Sequence, residues 1–205
     1  MIESVITTAT VAAASYILGS VPFGFIVALL VKGIDIRNFG SGNIGATNVL
    51  RVVGKPWGIL VFILDFLKGF LAVVVSRLLF SDISISALIL SGLAAVCGHN
   101  WPLFLKFKGG KGVATSAGVI LGLGFAASGL RSVLIFSLAA WIVVLLITRI
   151  VSLASIIAVI VFLSLSWIFN LPFEVKVFSF VLSFFIILRH KENIRRLLEK
   201  KEHRF

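Results

Sequence analysis

The chain of 205 residues has a single cysteine, Cys97, so no disulfide can close within it. Cys97 lies in an apolar run and reads as a small packing residue. Acidic residues are equally sparse, eight in all against nineteen lysines and arginines. Scattered as they are, they offer no carboxylate or histidine cluster at metal-ligand spacing, so no metal is expected and a two-metal catalytic site is excluded. A Gly-x-Ser-x-Gly elbow is missing, and with it the serine hydrolases of that design. A Gly-x-x-x-x-Gly-Lys-Ser/Thr loop is missing too. The His-x-x-x-x-Asp pair of common acyltransferases fails at both candidate histidines, because Phe104 follows His99 and Arg195 follows His190 at the required distance. Without elbow, metal or acid–base dyad, and with no cofactor motif, any chemistry here must act on a substrate that arrives already activated.

What the chain has in abundance is apolar residues, 60% of the total, with a mean hydropathy of +1.16. Globular chains average about 45–50% apolar, and a soluble protein this small could not bury the excess. A bilayer removes the difficulty by solvating the outer faces of helices. The apolar stretches predict an all-α, single-domain membrane protein with seven spans at about 4–31, 56–79, 84–105, 112–128, 130–148, 151–170 and 173–189. The fourth is short and rich in Gly and Ala. Thr148 and Arg149 mark the turn between the fifth and sixth. The first stretch follows Glu3, lacks a basic leader and is too long for a signal peptide, so it is expected to be retained.

The net charge of +11 is not spread evenly. With the N-terminus outside, fifteen of the nineteen cations fall in inner loops or in the tail from Arg189. Positive residues favour the cytoplasmic side, so the prediction is N-out and C-in. This makes topology and anionic ligands, not nucleic acid, the reasons for the charge. The tail 190–205 alternates Ile194, Leu197 and Leu198 with Arg195, Arg196, Lys200 and Lys201, a pattern suited to an interfacial anchor on anionic lipid.

Two inner loops share a character. The first, 32–55, contains Gly40-Ser41-Gly42-Asn43-Ile44-Gly45-Ala46-Thr47-Asn48 and then Arg51; the second contains Lys108-Gly109-Gly110-Lys111-Gly112-Val113-Ala114-Thr115-Ser116. Glycines let successive N–H groups converge into an anion nest, and a following helix N-terminus favours the same charge. Ser41, Thr47 and Asn48 add neutral donors, while Arg51 and Lys111 add full charges; Arg can grip phosphate through two parallel bonds. Plain turns with topogenic cations are the alternative reading of either loop taken alone. Two loops, each with donors and a cation, favour the binding of two phosphates.

Polar residues within spans are costly and need a reason. Asp65 and Lys68, three apart, share a helix face and are expected to form a buried supporting ion pair. His99 ends the third span ahead of Pro102, placed to orient the second loop. His190 and Asn193 open the tail on the face of both loops.

Taken together, Gly40–Arg51 (GSGNIGATNVLR), Asp65–Gly69 (DFLKG), Gly98–Thr115 (GHNWPLFLKFKGGKGVAT), Val151–Ser155 (VSLAS) and Arg189–Leu198 (RHKENIRRLL) resemble the bacterial acyl-phosphate:glycerol-3-phosphate acyltransferase family over nearly the whole chain. The resemblance implies transfer of an acyl chain from acyl phosphate to the 1-hydroxyl of sn-glycerol 3-phosphate, giving 1-acyl-glycerol 3-phosphate and phosphate, at the inner face of the bacterial cytoplasmic membrane. It implies no cofactor and no obligatory protein partner; the partners are the two substrates and membrane lipid. By resemblance, Ser41, Arg51, Lys111, His190 and Asn193 bind glycerol 3-phosphate. Gly42, Asn43, Thr47, Asn48 and Gly110 hold the acyl-phosphate head. Two candidates stand for the general base, His190 and a phosphate oxygen of the substrate. The lack of a second residue in the sequence to orient a catalytic His favours the phosphate. The rival function is a transporter of a phosphorylated or anionic solute, which basic loops at helix ends would also suit.

Overall fold

The computed structural model describes residues 2–204, and these form helices and turns without a strand. The chain divides into two compact units, Met1–Gly122 and Leu123–Phe205.

The first unit holds α1 (Ile2–Ser20), α2 (Phe23–Lys32), α3 (Ala46–Val52), α4 (Lys55–Leu79), α5 (Ile85–Asn100) and all but the last residue of α6 (Val113–Leu123), with short 3-10 turns at Ile36–Asn38 and Leu103–Leu105. The expected first span is thus two helices. Pro22 has no N–H to continue the ladder and its ring disfavours helical backbone just before it. The break takes the Val21 carbonyl out of the helical ladder, and it accepts from the Phe23 N–H at 3.2 Å instead. Lys68 Nζ donates to that oxygen at 2.9 Å and lies 5.5 Å from the centre of the Phe23 ring.

Small residues bring α1 and α5 together side by side and parallel. Ser15 Oγ meets Ser91 Oγ at 2.7 Å, Gly19 abuts the Ala95 carbonyl, and Gly98 abuts the Tyr16 carbonyl. A side chain at either glycine would strike backbone. Between apolar helices in lipid, this close packing and such hydroxyl bonds, about 0.6 kcal/mol each, do the work that hydrophobic burial does in water. The helix α4 runs antiparallel to α5, with Ser76 against Ser91 at 3.1 Å and Asp65 near His99. Helix α6 runs alongside α4 in the same direction, Gly118 on the Phe66 carbonyl and Gly122 on Val73. The ends of α2 and α5 therefore gather with the starts of α4 and α6. One apolar cluster lies beneath them, joining Val27, Ala28, Val53 and Val61 to Ile36, Ile44 and Val49 near the first loop and Leu105 from the second.

The second unit consists of α7 (Gly129–Thr148), α8 (Val151–Ile168), α9 (Phe173–Arg189) and α10 (Lys191–Leu198). Arg149, in the left-handed region at φ 57°, turns the chain between α7 and α8. Trp141 Nε1 donates to Ser155 Oγ at 3.2 Å across that pair. Phe162 and Phe178 join α8 to α9 edge to face, 6.3 Å between centroids, a favoured aromatic geometry.

Among the described residues, five stretches are long and apolar enough to cross a membrane: Ile2–Lys32, Lys55–Leu79, Ile85–Leu105, Gly129–Thr148 and Val151–Ile168. The stretches expected at 112–128 and 173–189 are shorter as helices, 11 residues in α6 and 17 in α9. Eleven residues rise only about 16 Å. α6 stops at Leu123 because the chain then turns, with the Ala126 and Ala127 N–H groups both bonded to the Leu123 carbonyl.

Candidate active site

The first loop is not an open coil. Asp35 caps the 3-10 turn by accepting from the Arg37 N–H at 3.0 Å and pairs with the Arg37 guanidinium at 2.6 Å. Hydrogen bonding to Arg37 holds the Asp35 carboxyl below its ordinary value. Beyond it, Gly40 and Gly42 take φ of 60° and 69°, the left-handed backbone that folds the segment back on itself. The seven-residue α3 then forms, and it is a helix separate from the long α4. Gly54, at φ 140°, divides the two.

Asn48 organises this loop. Its amide donates to the Phe39 carbonyl at 3.0 Å and the Asn43 carbonyl at 2.9 Å, and its Oδ1 accepts from the Ser41 N–H at 2.9 Å. It is 2% exposed. Expected as a donor to a head group, Asn48 is instead directed inward and ties together the backbone on which Ser41 and Asn43 sit. Asn43 in turn accepts from the Gly45 N–H at 2.8 Å. On α3, Thr47 and Arg51 lie four apart and share one face, while Asn48 and Val49 fill the buried face. Ser41, Gly42 and Arg51 are exposed. The loop thus presents a hydroxyl, a left-handed glycine and a guanidinium outward from a backbone clamped from within. Asn48→Ala removes three part-buried hydrogen bonds, to the Phe39 and Asn43 carbonyls and the Ser41 N–H, at about 1 kcal/mol each. It is expected to speed amide exchange across residues 39–47 and to lower turnover with it. Unchanged exchange would rule out the clamp.

The second loop turns at Lys106 and Phe107, both left-handed with φ of 51° and 62°. Its return is tied to α5: the Gly110 N–H donates to the His99 carbonyl at 3.0 Å, and Tyr16 Oη donates to the Trp101 carbonyl at 2.8 Å. Gly110 is buried and Lys111 half-buried. Beneath lies the expected buried pair, Lys68 Nζ to Asp65 Oδ1 at 3.0 Å, with side chains 2% and 4% exposed. His99 Nδ1 stands 3.4 Å from the same oxygen.

In the second unit, His190 closes α9 and Asn193 lies on α10, both buried. His190 Nδ1 is 2.7 Å from the Ile186 carbonyl. A carbonyl only accepts, so Nδ1 carries the proton, and in the neutral ring Nε2 holds the lone pair. A backbone oxygen therefore orients this imidazole, a partner that side-chain counting could not reveal. Asn193 Nδ2 donates to Glu202 Oε1 at 2.6 Å. The same carboxylate takes Ser152 Oγ at 2.9 Å and Arg196 Nε at 2.7 Å. Glu202 was not singled out in the sequence. It folds the tail back onto the start of α8, so the tail is pinned as well as amphipathic. Burial alone would raise the Glu202 carboxyl, but the bonds from Arg196, Asn193 and Ser152 outweigh it and hold the group below its ordinary value. A carboxyl with a depressed folded pKa contributes stability above its unfolded pKa and loses it as pH falls through the folded one. The tail should therefore stay resistant to pepsin down through the ordinary carboxylate range and be released only at more acid pH. Glu202→Gln should release it at every pH. Identical cleavage profiles for parent and variant would overturn this.

The profile of the glycerol-3-phosphate acyltransferase family matches residues 9–200. The chain is 49% identical over 191 residues to the glycerol-3-phosphate acyltransferase of Aquifex aeolicus (strain VF5), covering 93% of this chain and 95% of that protein. It is 42% identical over 188 residues to the one of Thermoanaerobacter sp. (strain X514), covering 92% and 90%. Among solved structures it resembles PlsY, described as an integral membrane glycerol 3-phosphate acyltransferase. The glycerol 3-phosphate form gives a TM-score of 0.88 at 45% identity, and the lysophosphatidic acid form 0.85 at 44%, each covering 97% of this chain and 95% of the other.

Proposed function

Because the chain belongs to the glycerol-3-phosphate acyltransferase family, we propose that it takes its acyl group from an acyl phosphate and delivers it to the 1-hydroxyl of sn-glycerol 3-phosphate, yielding 1-acyl-glycerol 3-phosphate and inorganic phosphate. The observation that carries the choice of donor is the pair of cation-bearing glycine loops rising from one apolar cluster. Two loops suit two phosphate-bearing substrates. Acyl phosphate is a mixed anhydride with a good leaving group, so neither a protein nucleophile nor a metal is needed. Catalysis then consists of positioning and charge stabilisation.

In this reading Ser41, Arg51 and Lys111 hold glycerol 3-phosphate, the role that the sequence resemblance also gives to His190 and Asn193. Gly42, Asn43, Thr47 and Gly110 shape the seat of the acyl-phosphate head, and Asn48 fixes the loop that carries most of them. The hydroxyl oxygen attacks the acyl carbon, the bond from that carbon to the phosphate oxygen breaks, and phosphate departs with the electron pair. The Ile186 carbonyl leaves His190 Nε2 as the acceptor in the neutral ring, which favours His190 over a substrate phosphate for taking the hydroxyl proton. The chain sits in the bacterial cytoplasmic membrane with seven spans, N-terminus out and both loops at the cytoplasmic face, as the distribution of Lys and Arg supports.

The test is a phosphate-release assay on the purified protein in detergent. Acyl phosphate with glycerol 3-phosphate should release phosphate and form lysophosphatidate in equal amounts, while acyl-CoA in its place should yield no product. Product from acyl-CoA alone would overturn the choice of donor. Uptake of glycerol 3-phosphate into protein-containing liposomes without any acyl donor would support a transporter instead. His190→Gln should remove the ionisation near neutrality from the pH–rate profile if the imidazole is the base.

A further inference from the structure

The glycines of the second loop carry information beyond turn-making. Gly112 has φ of 79°, a conformation that favours glycine on backbone grounds. Gly109 and Gly110 are not in the left-handed region, so their backbone would admit a side chain. Space would not. A methyl group on Gly109 would run into the His99 carbonyl and the ring of Pro102, and one on Gly110 into His99 Nε2. Its next neighbours at Gly110 would be Cε1 and Cδ2 of the same imidazole, at 2.7 and 2.8 Å. The nearest wall against Gly110 is thus the His99 ring.

That ring is itself held from behind. Its Nδ1 edge faces the Asp65 carboxylate at 3.4 Å, and Asp65 is paired with Lys68 at 3.0 Å. Lys68 in turn is anchored on the Val21 carbonyl, where α1 breaks. His99 is 5% exposed and its carbonyl takes the Gly110 N–H at 3.0 Å. A line of buried contacts therefore runs from the break in the first helix pair, through α4, to the backbone one residue before Lys111. Buried side chains so constrained transmit displacement, because packed interiors do not deform continuously.

We propose that His99, backed by Asp65, is a positioning residue for acyl transfer: its imidazole edge is the stop against which the second loop rests, and it sets where Lys111 meets the phosphate of glycerol 3-phosphate. The proposal rests on the assignment of Lys111 to that substrate. For glycerol 3-phosphate binding it makes the absence of a side chain at Gly110 a requirement imposed by His99, separate from the part Gly110 plays in the acyl-phosphate seat.

A double-mutant cycle decides it. Gly110→Ala forces the loop off the imidazole; overpacking of this kind is expected to weaken glycerol 3-phosphate about tenfold. Because Gly110 also helps to shape the acyl-phosphate seat, KM for acyl phosphate and kcat should change too, and the cycle is decided on glycerol 3-phosphate affinity alone. With His99→Ala, or with His99→Gln whose side chain can yield, the same Gly110→Ala change should alter glycerol 3-phosphate affinity by about twofold or less, near the limit of additivity. Affinity is read by calorimetry without donor, and KM and kcat by phosphate release. If His99→Ala yields no folded protein, the His99→Gln pair completes the cycle. An equal penalty for Gly110→Ala with and without the imidazole overturns the proposal, since the glycine would then be needed for the ligand itself. A parent protein that binds no glycerol 3-phosphate would instead refute the site assignment. Amide exchange at residues 108–112 in the same four proteins would still show whether the imidazole sets the loop, by coupling or by its absence.

Discussion

Replacing Arg51 by Ala is expected to lower kcat/KM for acyl transfer by about a hundredfold, mainly through KM for glycerol 3-phosphate, because one partner of a charge pair with the substrate phosphate is lost, while leaving the fold intact. Both halves follow from α3. Its buried face is made by Asn48 and Val49, and the Asn48 side chain ties the first loop together. Arg51 sits on the opposite, exposed face with Thr47. Truncating it removes charge without opening the core, so the loss of activity should far exceed the loss of thermal stability. Arg51→Lys is the informative companion. A planar guanidinium can take a phosphate through two parallel bonds, whereas an ammonium is a point charge on a flexible stem. Recovery to near-parental activity in the Lys variant would show that only net charge matters at this position. Partial recovery supports a bidentate grip. A variant as active as the parent would remove Arg51 from the site altogether.

That the chain is helical with long apolar stretches was legible because hydropathy is a property of long windows. The Asp65–Lys68 pair was legible for a local reason: a spacing of three on a helix places both side chains on one face, and the pair forms at 3.0 Å. The break at Pro22 was harder to see. The apolar run continues through it, so the window reads as one span even though a single residue stops the ladder. Glu202 was invisible for a different reason. It is one carboxylate in a basic tail, and Ser152, one of the three side chains that hold it, lies fifty residues away in the chain. Asn48 and Gly110 show a third kind of limit. Loop composition announces that glycines and amides matter, but whether they face a ligand or their own scaffold depends on which side of the backbone packs. For Asn48 the amide turns inward to three backbone groups, and for Gly110 the missing side chain faces His99. The orienting partner of His190 is a backbone carbonyl, and a carbonyl is present at every position of every sequence.

Removing the charge of Lys68 alone should be the most damaging change to the fold of the first unit, and removing Asp65 with it should undo much of the harm. Both side chains are almost wholly buried. Lys68→Met leaves the Asp65 carboxylate in an apolar region without its cation, a situation that costs about 3–5 kcal/mol. It also removes one of the two donors to the Val21 carbonyl where Pro22 interrupts the helix. Asp65→Asn/Lys68→Met restores neutrality, and methionine fills much of the volume of the lysine stem. What remains lost in the double variant is the bond to Val21, about 1 kcal/mol. The single variant should therefore unfold at markedly lower temperature in detergent than the double one, which should approach the parent. Were the two variants equally unstable, the Val21 bond and not the ion pair would dominate. Were neither destabilised, the pair would have to serve something other than the fold. The His99 contact adds a second reading of the same proteins. The double variant places a neutral amide where the carboxylate backed the imidazole, so the fold can recover while the support behind the second loop does not. Glycerol 3-phosphate affinity in a stable Asp65→Asn/Lys68→Met protein then separates what this buried charge contributes to holding helices together from what it contributes to holding Lys111 in place.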